Sequence, residues 1–214
     1  MNDQRAWPAP RPYTRTDLDS APIRGATSTQ GVRLTMSFHP WHDLPTGANP
    51  PDVLNVIIEI PRGSRNKYEL DQTTGLFRFD RILYSAVHYP GDYGFFPRTL
   101  AGDGDPLDAL VMVTSPTFAG CLMEARPLGV FRMRDEKGID DKVLGVPMRD
   151  PRYDEYRSLR DVPRHFLREV EHFFTIYKEL EGVVSETAGW HDLTVAKRIV
   201  DEARERYGEV HDGT

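Results

Sequence analysis

Hydrophobic and polar positions change their period twice along the chain. Residues 1–37 have no period: Pro8, Pro10, Pro12 and Pro22 stand among Ser, Thr and Arg. That composition predicts a mobile N-terminal extension, with the domain proper spanning 38–214. From residue 53 the pattern is that of β-strands. The run 53–60 is rich in β-branched residues and stops at Pro61, and a period of two puts Val53, Ile57 and Glu59 on one face. A short strand over 67–70 places Lys67 and Glu69 together and turns Tyr68 and Leu70 away. Residues 71–75 form a turn into a strand over 76–83, where Phe77, Phe79 and Arg81 share a face. The apolar run 107–113, broken only by Asp108, predicts a buried strand. Two further strands are expected over 124–133 and 142–147, joined by an acidic connector over 135–141.

Past residue 160 the period lengthens to that of a helix. Phe166, Leu167, Val170, Phe173, Phe174, Tyr177 and Leu180 recur at spacings of three and four. Asp161 is the expected N-cap, Pro163 lies in the first turn and Gly182 is the expected terminator. A second helix over 192–207 presents Val195, Ile199, Val200 and Ala203 on one side. Many short strands followed by two helices predict an α+β, mainly β protein: a closed or nearly closed barrel flanked by two C-terminal helices.

Composition narrows the choice of partners. The 214 residues are 39% hydrophobic and 28% charged, with a net charge of −6. This suits one domain with a real core and does not favour nucleic acid or an anionic membrane. Cys121 is the only cysteine, which excludes an internal disulfide and a thiolate zinc site and fits a reducing compartment. No apolar run reaches the roughly 18 residues of a membrane helix. The N-terminus lacks the apolar core of a secretory signal.

The chemistry concentrates in one turn. Asp103, Asp105 and Asp108 fall within six residues, and Gly102, Gly104 and Pro106 force a tight, extended path into the core strand. Three carboxylates at the mouth of a buried strand repel one another and lose solvation unless a cation joins them. The spacing is not an EF-hand: counting from Asp103, the glycine position holds Asp108 and the final glutamate position holds Thr114. There is no Gly-Lys pair for a P-loop, and neither HExxH nor GxSxG occurs. His39 and His42 flank Pro40, which rules out a helical pair of ligands, so they are read as an anchor for the extension. Hard carboxylates favour Mg²⁺, Mn²⁺ or Ca²⁺. Lys67, Arg81, Lys142 and Lys178 lie in or beside the same framework. Metals together with cations suit a highly charged anion, so the residues themselves reach metal-assisted hydrolysis of a small phosphoanhydride.

The segment Asp103-Gly-Asp-Pro-Leu-Asp-Ala109 resembles the hallmark motif of the soluble family I inorganic pyrophosphatases. The blocks 58–61, 67–69, 79–81, 89–94, 126–130, 135–136, 140–142 and 172–178 follow in the family's order, so the resemblance covers residues 38–207. It implies a five-stranded OB-like barrel and hydrolysis of pyrophosphate by direct attack of a metal-activated water. Asp103, Asp108 and Asp140 are then ligands of the first Mg²⁺, Glu59, Glu69 and Asp135 serve the further metals, and Asp105 is the general base. Lys67, Arg81, Tyr177 and Lys178 hold the leaving phosphate, Lys142 and Tyr93 act on the electrophilic side, and Tyr89 and Glu136 support them. Several Mg²⁺ per site are implied, with Mn²⁺ a possible substitute, and so are a homohexamer and a cytoplasmic location. Position 92 is Asp where some bacterial members carry Asn, and the first 37 residues lie outside the pattern. Two rivals remain. A nucleic-acid-binding barrel needs a basic, aromatic groove, which these acids contradict. A catalytically inactive scaffold predicts a lost key residue, and none is missing.

Overall fold

The structure is a computed structural model and describes residues 38–135 and 138–212. The predicted N-terminal extension and Glu136 lie outside the described residues.

Five strands form a closed ring. β1 (Leu54–Ile60) pairs antiparallel with β4 (Asp92–Phe95), and β4 with β5 (Asp108–Val111). β5 runs parallel to β7 (Gly138–Pro147), which pairs with β6 (Leu122–Asp135). The ring closes where β6 returns to β1, with Leu54 opposite Ala125. β2 (Asn66–Leu70) and β3 (Phe77–Ile82) form a separate hairpin. Gly94 permits the close approach of β4 to β1: a Cβ there would stand 1.9 Å from the carbonyl oxygen of Ile57.

Both faces of the ring are covered, which explains the nearly unbroken apolar runs. Leu54, Val56, Ile58, Ala109, Val111, Val130 and Val143 meet Ala196, Ile199, Val200 and Ala203 of α2 (Leu193–Tyr207). Residues of the other parity, among them Leu110, Phe131 and Leu144, meet Val170, Phe173 and Phe174 of α1 (Arg164–Ile176). Burying one such side chain contributes about 1.5–3 kcal/mol. Asp108 shares its parity with Leu110, and Asp140 and Lys142 share theirs with Leu144. The face that packs under α1 therefore continues directly into charged residues.

Four expectations change. The acidic connector over 135–141 is largely strand: β6 and β7 pair as far as Asp135 opposite Gly138, so Asp140 and Asp141 sit within β7. Asp161 does not cap α1. It closes a capping box with Ser158 around the 3₁₀ turn Leu159–Asp161, and Pro163 stands at the N-cap with no side-chain bond. α1 ends at Ile176, and Gly182, in left-handed conformation, ends the 3₁₀ turn Glu179–Glu181 that follows. A further strand, β8 (Glu186–His191), pairs with the outer edge of β6. Its largely exposed and polar face hides its period. The cap at Asp192 is as expected: its carboxylate accepts from the amide of Val195.

The segment from residue 38 to 46 is anchored. Trp41 is 3% exposed and donates from Nε1 to the carbonyl of Thr99 at 2.8 Å. His42 Nδ1 lies 2.7 Å from the Tyr207 hydroxyl at the end of α2.

Candidate active site

The charged face opens into a cleft of about 620 Å³. β1 delivers Glu59, β2 delivers Lys67 and Glu69, and β3 delivers Arg81. Tyr93 comes from β4, Asp108 from the start of β5, and Asp140 and Lys142 from β7. The turn before β5 adds Asp103 and Asp105, and the end of α1 adds Tyr177 and Lys178. Tyr89 stands behind this lining, buried, with its ring 5.4 Å from that of Tyr93 and 4.8 Å from that of Phe173. Of Asp135 only the backbone is described, at the far end of the β6–β7 ladder.

Lys142 is the centre of the arrangement. It is 2% exposed, and its Nζ donates to Asp108 at 2.7 Å, to Asp140 at 2.6 Å and to the Tyr93 hydroxyl at 3.0 Å. The first contact follows from register, because Asp108 and Lys142 are partners across the parallel β5–β7 pair. Tyr93 donates its own hydroxyl hydrogen to Asp108. Burial lowers the Lys142 ammonium, but Asp108 and Asp140 outweigh it and hold it charged, well above its ordinary value. Burial and the charge of Asp108 keep Tyr93 neutral.

The carboxyl groups are under strain of the opposite kind. Glu59 is 9% exposed. Burial, aided by the charge of Asp108, raises it from 4.5 to about 8, although its Oε1 accepts from the amide of Leu70 at 2.7 Å. Asp108 is raised to about 6 by burial and by Asp140, against the pull of Lys142. Asp103 is raised by burial and by the charges of Asp105 and Asp140. Nine carboxyl groups and four basic side chains line the cleft, so its own cations do not balance its acids. Among the described residues no three ligating side chains already converge on one point: the carboxylates turn to internal donors instead. The donor set, hard carboxylate oxygens in excess over the cations of the cleft, fits divalent metal ions.

Three lining residues carried no sequence signal. Asp80 accepts from Lys67 at 2.9 Å and from Arg81. Strand parity sets it opposite Arg81, but the register shift between Lys67 and Tyr68 brings both to one lysine. Glu181 pairs with Arg81 at 2.8 Å from a 3₁₀ turn that no helical stripe announces. Gln72 donates to Asp105 at 2.8 Å from the tip of a turn. Lys67 and Glu69, expected on one face, pair at 2.6 Å.

Residues 56–208 match the family model described as inorganic pyrophosphatase. The inorganic pyrophosphatase of Methanosarcina mazei is 51% identical over 154 residues, 72% of this chain and 91% of that one. The chain belongs to the family I inorganic pyrophosphatases. Among bacterial pyrophosphatases, that of Geobacillus stearothermophilus is 48% identical over 157 residues, 73% of this chain and 95% of its own. The crystal structure of inorganic pyrophosphatase from Thermus thermophilus superposes with a TM-score of 0.76 at 45% identity, covering 78% of this chain and 98% of that one. The OB-like five-stranded ring, with its two C-terminal helices, is thus the fold of an inorganic pyrophosphatase.

Proposed function

We propose that this enzyme hydrolyses inorganic pyrophosphate to two phosphates and requires Mg²⁺, with Mn²⁺ able to substitute. The observation that carries the reading is the cleft itself, where an excess of carboxyl groups faces Lys67, Arg81, Lys142 and Lys178. Asp103, Asp108 and Asp140 would hold the first Mg²⁺, with Glu59, Glu69 and Asp135 serving those that accompany substrate. Bound Mg²⁺ neutralises phosphate charge and acidifies water near neutral pH.

The chain's own groups do the rest. Asp105 takes a proton as the water oxygen bonds to one phosphorus and the bridging P–O bond breaks. Lys67, Arg81, Tyr177 and Lys178 receive the phosphate that leaves. Lys142 and Tyr93, whose hydrogens here serve Asp108 and Asp140, would turn to the phosphate under attack once metal ions hold those carboxylates, stabilising charge where it develops. Tyr89 and Glu136 would be supporting residues. A homohexamer working in the cytoplasm completes the proposal. Leu76, Phe79 and Phe118 are exposed and open to an interface, and no helix among the described residues is long and apolar enough to cross a membrane.

Phosphate release from pyrophosphate and from ATP, side by side in Mg²⁺ and in EDTA, tests this reading. Release from pyrophosphate should depend on Mg²⁺ and exceed that from ATP. No release with Mg²⁺ present refutes it. Size-exclusion chromatography with light scattering tests the hexamer.

A further inference from the structure

We propose that Gln72 is a positioning residue for Asp105, and that His39 and Trp41 of the N-terminal anchor hold the two loops on which this pair meets. The proposal rests on reading Asp105 as the base.

The turn 71–75 is closed on itself. Asp71 Oδ1 accepts from the amides of Thr73 at 3.1 Å and Thr74 at 3.0 Å, and the Gly75 amide donates to the Asp71 carbonyl at 2.8 Å. The backbone is thereby satisfied without Gln72, whose side chain reaches across the cleft and donates from Nε2 to Asp105 Oδ1 at 2.8 Å. Asp105 sits on a loop built for freedom, between Gly104 at φ +91 and Pro106. That loop is tied locally, by the Asp105 amide to Asp103 and by the Ala101 amide to the Asp105 carbonyl. These bonds fix the backbone and leave the carboxyl torsion to side-chain contacts. Gln72 supplies such a contact from a different element. It is a neutral donor, so it orients one oxygen without adding charge.

Both loops lead back to the same short segment. His39 Nε2 lies 3.1 Å from the Gln72 carbonyl oxygen. Its ring covers Gly75 so closely that a Cβ there would stand 3.2 Å from Cδ2. Two residues on, Trp41 Nε1 bonds the carbonyl of Thr99. Thr99 Oγ1 accepts from the Leu107 amide at 3.0 Å and so closes the base of the aspartate loop. One segment, half-buried at His39 and buried at Trp41, therefore buttresses both loops, and their tips meet at the Gln72–Asp105 bond. A misplacement of about 1 Å in a reacting group can cost on the order of a hundredfold in rate, so the buttress bears on turnover rather than on affinity.

The test uses the full chain with Gln72→Ala, Gln72→Glu and Gln72→Lys. Glutamate keeps the shape and loses the donor, whereas lysine keeps a donor. We expect Gln72→Ala to lower kcat about tenfold, with KM for pyrophosphate, Mg²⁺ affinity measured without substrate and the urea midpoint all unchanged. Gln72→Glu should be slower still, and Gln72→Lys, which keeps a donor but adds a charge that weakens the base, should restore only part of the rate. In an Asp105→Asn background Gln72→Ala should cost nothing more. Wild-type kcat in Gln72→Ala and Gln72→Glu overturns the proposal, as does an undiminished loss in the Asp105→Asn background or a raised KM at constant kcat. If Asp105→Asn itself turns over at the normal rate, the base reading falls and the proposal with it. If Asp105→Asn is slow while Gln72→Ala is not, only the positioning role falls.

Discussion

Glu59 is a carboxyl group kept at a cost to the metal-free protein. Burial raises it from 4.5 to about 8, so the fold binds a proton that the unfolded chain releases. Because the folded value is the higher one, the penalty is absent below about pH 4, grows as pH rises, and is complete above about pH 8. At roughly 1.4 kcal/mol per pKa unit, the folded state forgoes about 3 kcal/mol at pH 7. Glu59→Gln removes that penalty and keeps an amide oxygen to accept from Leu70. The variant should therefore be more stable than wild type in EDTA at pH 8, indistinguishable at pH 4, and slower in turnover. Urea denaturation across this pH range measures the difference. Added Mg²⁺ should narrow it, since a cation favours the charged form. Equal stability at pH 8, or a glutamine variant less stable there, refutes the reasoning.

Other perturbations follow from the same geometry. Lys142→Met leaves Asp108 and Asp140 facing each other without their shared ammonium, and should cost about 3–5 kcal/mol by urea denaturation in EDTA. An unchanged midpoint would show that the pair needs no partner. Gly94→Ala drives a methyl group into the Ile57 carbonyl and should lower stability by about 3 kcal/mol or more, read as the thermal midpoint. Asp92 is fully buried and accepts from the Arg62 amide at 2.7 Å and from the amide and hydroxyl of Thr117 at 3.0 and 2.6 Å. Asp92→Ala should cost about 1–3 kcal/mol by removing the acceptor of three part-buried donors, and Asp92→Asn, which keeps one acceptor, distinctly less.

The residues legible in the sequence are those whose neighbours in the chain carry the signal. Asp103, Asp105 and Asp108 declare themselves by crowding, and Lys67 and Glu69 by strand parity. Tyr177 and Lys178 are marked by their place at the end of an amphipathic stripe. A run of acids reads as solvated and so puts Asp140 in a loop, whereas β6 carries the ladder past it and the strand alternation points it at Lys142. Glu181 and Gln72 were invisible for a different reason. Each sits on a turn, where no period exists, and gains its role from a partner far along the chain, Arg81 or Asp105. β8 escaped because edge strands need no apolar alternation, and only Trp190 packs inward on α1's cluster.

The seam where β6 meets β1 bears on how the molecule comes to life. Leu54 must find Ala125 across everything the chain has laid down between them, the kind of distant pairing that slows folding. Glu59 lies on one side of that seam, while Asp140 and Lys142 ride on the strand bonded to the other. The strands that carry the cleft, β1, β4, β5 and β7, are already neighbours around the other side of the ring, so closing the seam completes the core that holds the site rather than the site itself.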